Sequence, residues 1–270
     1  KPRTRNVEKL EFVTSLSSPD DDLITFNKQG LIAGPEEEKV AFLVRSNAML
    51  DAGPETPASF PESLREQFDI FPEYVEVLYS NEGLDVWEAG CTWILNNEVT
   101  IQLRKHHRKA SRWLGMYSRD EVLAHEAVHA VRMKFHEPVF EEVLAYQTSR
   151  WGWRRFFGPL FRSPGESYLL LFFTILGLGI SLWYPAGILI MLVLPMYFLM
   201  RLCMAQSYLY RAMKKIRKML GVPPLWVLLR LTDKEIKMFA KEPIPVLEHY
   251  ARKRKLENVR WKQIYQSYFV

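Results

Sequence analysis

The sequence predicts an α+β chain: a small sheet and a capped helix, then a long apolar hairpin, then a helical tail. Three observations carry this. Residues 74–103 alternate with a strand period between turn compositions. A capping signal at Ser118 opens a helix-periodic stretch. No charged residue occurs from Ser167 to Met200. The expected organisation is an irregular N-terminal segment (1–34), an α+β domain (35–165), a transmembrane helical hairpin (166–204) and a C-terminal helical region (205–270).

Overall composition, with 48 % hydrophobic and 25 % charged residues, is that of a globular chain, so the apolar run is a local feature. The +5 charge is concentrated after residue 150 and is read locally, not as a nucleic-acid signal. Cys91 and Cys203 make no disulfide framework and suit a reducing compartment. No secretory signal opens the chain, which starts at Lys1 without Met, as a fragment or processed form does.

Lys1 to Gly34 is polar, with acidic Asp20-Asp21-Asp22, and is expected to be irregular with at most a short strand. Pro35 to Leu50 reads as a helix, with proline in its first turn and glutamates at the positive dipole end. Pro61 to Phe68 reads as a shorter one. A β-meander is expected next: Tyr74–Tyr79, Leu84–Trp87, Cys91–Leu95 and Val99–Leu103, with turns at Ser80–Gly83 and Asn96-Asn97. The basic run Arg104–Lys109, with His106 and His107, reads as solvated. Ser118 and Glu121 form a capping box for a helix expected to reach about Phe135, and Pro138 separates it from a helix carrying Glu141 and Glu142.

One straight helix over the uncharged run would be roughly 50 Å long against a hydrocarbon core of about 30 Å. Tyr184-Pro185-Ala186-Gly187 is a turn near its middle, so two membrane helices (168–184 and 187–204) are expected in the lipid bilayer; the plainer alternative is an apolar buried hairpin. Arg150, Arg154, Arg155 and Arg162 precede it, and Arg201, Arg211, Lys214, Lys215, Arg217 and Lys218 follow. Both ends are therefore expected on the cytoplasmic side. Trp151, Trp153 and Trp183 suit the interface, and Trp151–Phe157 suits a surface-lying segment. Beyond Ala205 the chain reads as helical. Thr232 and Glu235 form a second capping box that accounts for Asp233, Pro243 and Pro245 interrupt the helix, and Val246–Tyr268 resumes it.

The chemistry is concentrated in His125-Glu126-Ala127-Val128-His129. Histidines four apart share one helical face, so both imidazoles can reach one ion, and the adjacent glutamate can address a water on it. Val122, Leu123, Val131 and Phe135 mark the opposite, core-facing side. The Glu141-Glu142 pair follows at a workable distance.

This constellation resembles the zincin metallopeptidases over roughly residues 70–150, within them the gluzincin type. The resemblance implies a zincin-like domain, built from a β-meander, an HExxH helix and a glutamate helix, that hydrolyses peptide or protein substrates with Zn2+. It implies His125 and His129 as metal ligands and Glu126 as the catalytic base on the zinc-bound water. It also implies a glutamate ligand on the second helix. Glu142-Val143-Leu144-Ala145 matches that group's Glu-x-x-Ala setting, so Glu142 is the expected ligand, with Glu141 as the alternative or as a hydrogen-bond partner of a histidine. Adjacent helical residues point about 100° apart, so only one faces the metal. An edge strand, Val99–Leu103 or Cys91–Leu95, would bind substrate. Tyr146, His136 or Arg132 would stabilise the transition state, Tyr146 first. Membrane-bound gluzincins carry Glu-x-x-Ala-Asp after membrane helices, whereas here the motif precedes the hairpin and Tyr146 replaces the aspartate. Intramembrane proteases with the motif inside a membrane helix are excluded by Arg119, Asp120, Glu121 and Arg132. His249 has no ligand-like neighbour. The competing expectation is a catalytically inactive zincin-like membrane scaffold or binding protein.

Overall fold

The structure, a computed structural model, describes residues 21–55, 58–85, 88–95, 97–109, 112–113 and 117–269. It is mostly helical with a small three-stranded sheet. Residues 1–20, including Asp20, and Val86-Trp87 of the second expected strand lie outside the described residues.

Within the segment expected to be irregular, the described residues include a helix, α1 (Asp21–Lys28). Leu23 and Phe26 enter the core, and Gln263 and Tyr268 near the C-terminus hydrogen-bond around it, so tertiary contacts order a stretch that is polar in sequence. The next helix, α2 (Lys39–Asp51), starts four residues after Pro35. Glu37, expected inside it, instead accepts from Gly34 N and pairs with Arg45. α3 (Glu62–Phe68) follows Pro61 as expected.

The strands β1 (Glu76–Tyr79), β2 (Gly90–Leu95) and β3 (Glu98–Leu103) lie in the order β1-β3-β2. β2 and β3 form an antiparallel hairpin turned at Asn97, which takes a left-handed φ of 71°. β1 pairs with β3 in parallel, so the expected meander is corrected. Leu84 and Asp85 join no strand. Around this stretch Arg104 donates to the Asp85 and Glu88 carbonyls and Gln102 Nε2 to the Ser80 and Glu82 carbonyls. Alternation marks strand residues but does not choose their partners. A two-stranded ribbon, β4 (Arg112–Trp113) and β5 (Tyr117–Ser118), leads into α4 (Arg119–Val131).

After α4 come α5 (Glu141–Ala145), a 3-10 turn (Tyr146–Thr148), α6 (Gly152–Phe157), α7 (Pro164–Ser181) and α8 (Gly187–Leu220). α7 and α8 are antiparallel partners. A Cβ at Gly187 would sit 2.4 Å from Ser181 N, and one at Gly177 2.3 Å from Met191 Cγ, so the two glycines permit their close approach. α8 runs well past the expected end at 204. Its first half exposes Leu189, Leu192, Val193 and Met196, whereas its second half buries Ala205, Leu209, Ala212 and Ile216. By length and composition it is the one helix among the described residues able to cross a membrane alone.

The tail comprises α9 (Pro224–Leu228), α10 (Asp233–Lys241), α11 (Ile244–Glu257) and α12 (Val259–Tyr268). Pro243 ends α10, but Pro245 sits in the first turn of α11, where its missing N–H costs nothing. The single helix expected over 246–268 is split at Asn258, whose side chain caps α12 through Trp261 N. One continuous hydrophobic cluster runs from Leu23 to Tyr268 and includes Val122, Leu123 and Val131 of α4 and Phe135 beyond its end.

Candidate metal centre

Ser118 Oγ accepts from Glu121 N at 3.1 Å and starts α4 as expected. The reciprocal half of the box is replaced: the Glu121 carboxylate takes Arg154 Nη1 at 2.9 Å, tying α6 to the motif helix. α4 ends at Val131, not near Phe135, where Arg132 leaves the helical path.

The two Nε2 atoms of His125 and His129 lie 3.3 Å apart. Glu142 places Oε2 3.6 Å from His125 Nε2 and Oε1 3.4 Å from His129 Nε2. Donors at tetrahedral corners about 2.1 Å from one ion are about 3.4 Å apart, so these spacings, with one Glu142 oxygen toward each histidine, suit a zinc-sized cation. Two imidazole nitrogens and one carboxylate are also the donor chemistry of such a site. Glu141 does not face the triangle. Its Oε1 meets His129 Nδ1 at 3.2 Å and its Oε2 accepts from Arg132 Nε at 2.7 Å, orienting the ring so that Nε2 points inward.

Arg132 is buried and holds more than Glu141. Its Nη1 donates to the carbonyls of Leu229 at 2.6 Å and Leu231 at 3.1 Å. Asp233, expected only to cap, accepts from Val139 N at 2.7 Å and Phe140 N at 3.0 Å, the residues leading into α5. The tail therefore positions the glutamate helix. Arg132 thus ties Glu141 to the tail while lining the cleft. His136 lines the cleft at a left-handed φ of 50°.

Glu126 is buried, and Thr92 Oγ1 in β2 lies 2.9 Å from its Oε2 and 3.0 Å from its backbone carbonyl. Burial holds the Glu126 carboxyl above its usual range, against the pull of His129 and Thr92. Burial likewise pushes Glu142 up. The histidines part ways. Burial and its neighbour His129 drive His125 well down, whereas His129, despite burial, is raised to about 10 by Glu142 and Glu141. Glu141 is lowered: burial opposes this, but Arg132 and His129 prevail.

The Tyr146 ring packs edge-on to His125, with centroids 4.7 Å apart. Gly158 makes room for it, since a Cβ there would stand 2.2 Å from the Tyr146 ring. Burial, then Glu142, raises the Tyr146 hydroxyl. These groups line a cleft of about 1070 Å3. β2 borders it through Gly90, Cys91, Thr92 and Ile94, which makes Cys91–Leu95 the edge strand and leaves Val99–Leu103 central. Burial, then Glu126 and Glu88, pushes the Cys91 thiol to about 11, and both cysteines are free.

His125, Glu126, His129, Glu141, Glu142 and Tyr146 are thus brought together. His107 is not among them, and it is buried, not solvated. Sequence reasoning missed Thr92 and the roles of Asp233 and the 229–231 carbonyls, for which the local sequence carries no signal. No family model matches this sequence, and comparison with curated proteins and solved structures gave no match.

Proposed function

We propose that this chain is a membrane-anchored zinc peptidase with a zincin-like site. The observation that carries the reading is the His125–His129–Glu142 triangle, with sides of 3.3–3.6 Å, beside the buried Glu126 and on an open cleft. His125, His129 and Glu142 would hold the metal, which when bound supplies Lewis-acid polarisation of a carbonyl and a water of lowered pKa. Glu126 takes a proton and returns it to the leaving amine, a role suited to a carboxyl held above its usual range. Thr92 fixes its Oε2, and Glu141, backed by Arg132, fixes the His129 ring. Tyr146 closes the side of the cleft against His125. The free edge of β2 offers backbone groups to an extended peptide.

The anchor rests on α8, whose most apolar window has a mean hydropathy of 2.2 and is only 17 % buried, and on its antiparallel packing with α7. Residues before and after these helices share one core, which supports an excursion that returns to its starting side. Arg154 and Arg201, counted as flanking cations, are engaged by Glu121 and Glu166. Arg150, Arg155, Arg211, Lys214, Arg217 and Lys218 carry the assignment of the shared side as cytoplasmic.

The test is metal content of the detergent-purified full chain beside His129→Ala. About one zinc per chain in the wild type and almost none in the variant is expected. A folded wild type that takes up no zinc when it is supplied defeats the reading, and zinc without cleavage of any peptide favours the scaffold.

A further inference from the structure

The cleft does not end at the metal cluster. It continues without a break to Ser167, Tyr168 and Leu171, in the first two turns of α7, where the uncharged run begins. Leu171 is 56 % exposed there. The Tyr168 hydroxyl meets Asp85 Oδ2 at 3.4 Å, joining this end of α7 to the segment that precedes β2.

Exposed apolar side chains recur on two elements that contribute other residues to the cleft. β2 is an edge strand whose last residues, Trp93, Ile94 and Leu95, are exposed. On and just before α6, Arg154 points inward to Glu121, whereas Trp151, Trp153 and Phe157, with Arg155, are exposed. Aromatic side chains in this position suit the headgroup level of a bilayer. At its α7 end the cleft is bordered by Ile94, Phe161, Tyr168 and Leu171, whereas Glu88, His136, Glu137 and Arg162 line it elsewhere.

We infer that the cleft takes its substrate from the bilayer surface. The occupant is an extended stretch of a polypeptide that is itself anchored in the membrane, lying along β2 with its apolar anchor continuing beside α7. The inference rests on the peptidase reading and on the membrane placement of α7 and α8. An extended chain advances about 3.3 Å per residue, so cleavage falls within the stretch adjoining the anchor and not at a distance from it. The membrane then supplies both orientation and effective concentration.

The experiment reconstitutes the zinc-loaded full chain in phosphatidylcholine–phosphatidylglycerol vesicles, with Glu126→Gln as blank. One randomised peptide segment is offered in three forms: free, joined directly to a transmembrane anchor, and joined to the same anchor through a Gly/Ser linker of about 40 residues. Mass spectrometry reads rates and cut positions. The expected result is cleavage of the directly anchored form at least about tenfold faster than either other form, with cuts close to the anchor. Equal rates for the direct and long-linked forms, or for the free form, overturn the inference while leaving the peptidase reading intact. Absence of cleavage in all three forms removes the peptidase reading and the inference with it.

Discussion

Glu126 and Glu235 are both buried glutamates in one hydrophobic core, yet their surroundings differ. Glu235 is saturated. Arg260 grips it with two bonds of 2.8 and 2.9 Å, and Thr232 N, Trp261 Nε1 and Tyr250 Oη add three more donors. Burial alone would raise its carboxyl, but Arg260 and the other donors hold it at about 2. Glu126 has one hydroxyl, and Glu142 has only histidine nitrogens among the described residues. Both are raised by burial. A buried charge with every lone pair satisfied is a structural device; carboxylates left short of donors on an open cleft are suited to a cation or a proton. The first cluster holds the tail together, and the second lines a cleft.

The sharpest way to break this contrast is to neutralise each centre. Glu126→Gln is expected to lower peptide cleavage by about 10²–10⁴-fold while zinc per chain is unchanged. Wild-type rates in that variant would remove Glu126 from the mechanism. Glu235→Ala strands Arg260 and is expected to cost about 3–5 kcal/mol of stability in chemical denaturation. The same residue gives the pH test. Its folded value lies below the ordinary carboxylate range, so its contribution is fully present above about pH 4.5 and is lost as pH falls toward 2. Melting temperature should fall over that window in the wild type and less steeply in Glu235→Gln.

Smaller effects sharpen the comparison. Glu141→Gln keeps the metal ligands but loses the ionic link between Arg132 and His129, so zinc affinity is expected to fall about 10–100-fold in a chelator competition. An unchanged affinity would reduce Glu141 to a packing role. The two helix caps differ as the two carboxylates do. Ser118→Ala removes a single bond and is expected to cost about 1 kcal/mol by thermal unfolding. Thr232→Ala, which also disturbs the box around Glu235, should cost more.

The motif was legible because its geometry is local. A spacing of four on a capped helix brings His125 and His129 to one face whatever surrounds them, and the Glu-x-x-Ala resemblance singled out Glu142. The choice between Glu141 and Glu142 was open in the sequence, since either can face inward; Arg132, itself anchored on the 229–231 carbonyls, draws Glu141 aside. Strand residues were legible by alternation, but pairing was not. The parallel β1–β3 contact goes with the ties of Arg104 and Gln102 to the Ser80, Glu82, Asp85 and Glu88 carbonyls. Thr92 was not singled out, because a threonine in a strand is unremarkable until a glutamate on another element meets it.

By itself the sequence determined the features that depend on near neighbours along the chain: the paired histidines, the helix caps, the turn at Tyr184–Gly187 and the apolar run too long for one straight span. Local spacing and transfer free energy set these. The tertiary structure decided the helix at 21–28, the sheet order, the division of labour between Glu141 and Glu142 and the return of α8 into the core. The helix at 21–28 and the anchoring of Arg132 depend on residues about 100 or more positions apart, Asn27 with Tyr268 and Arg132 with Leu231, and the sheet order on pairs about 20 positions apart, Arg104 with Asp85 and Gln102 with Ser80; only a packed core brings such pairs together.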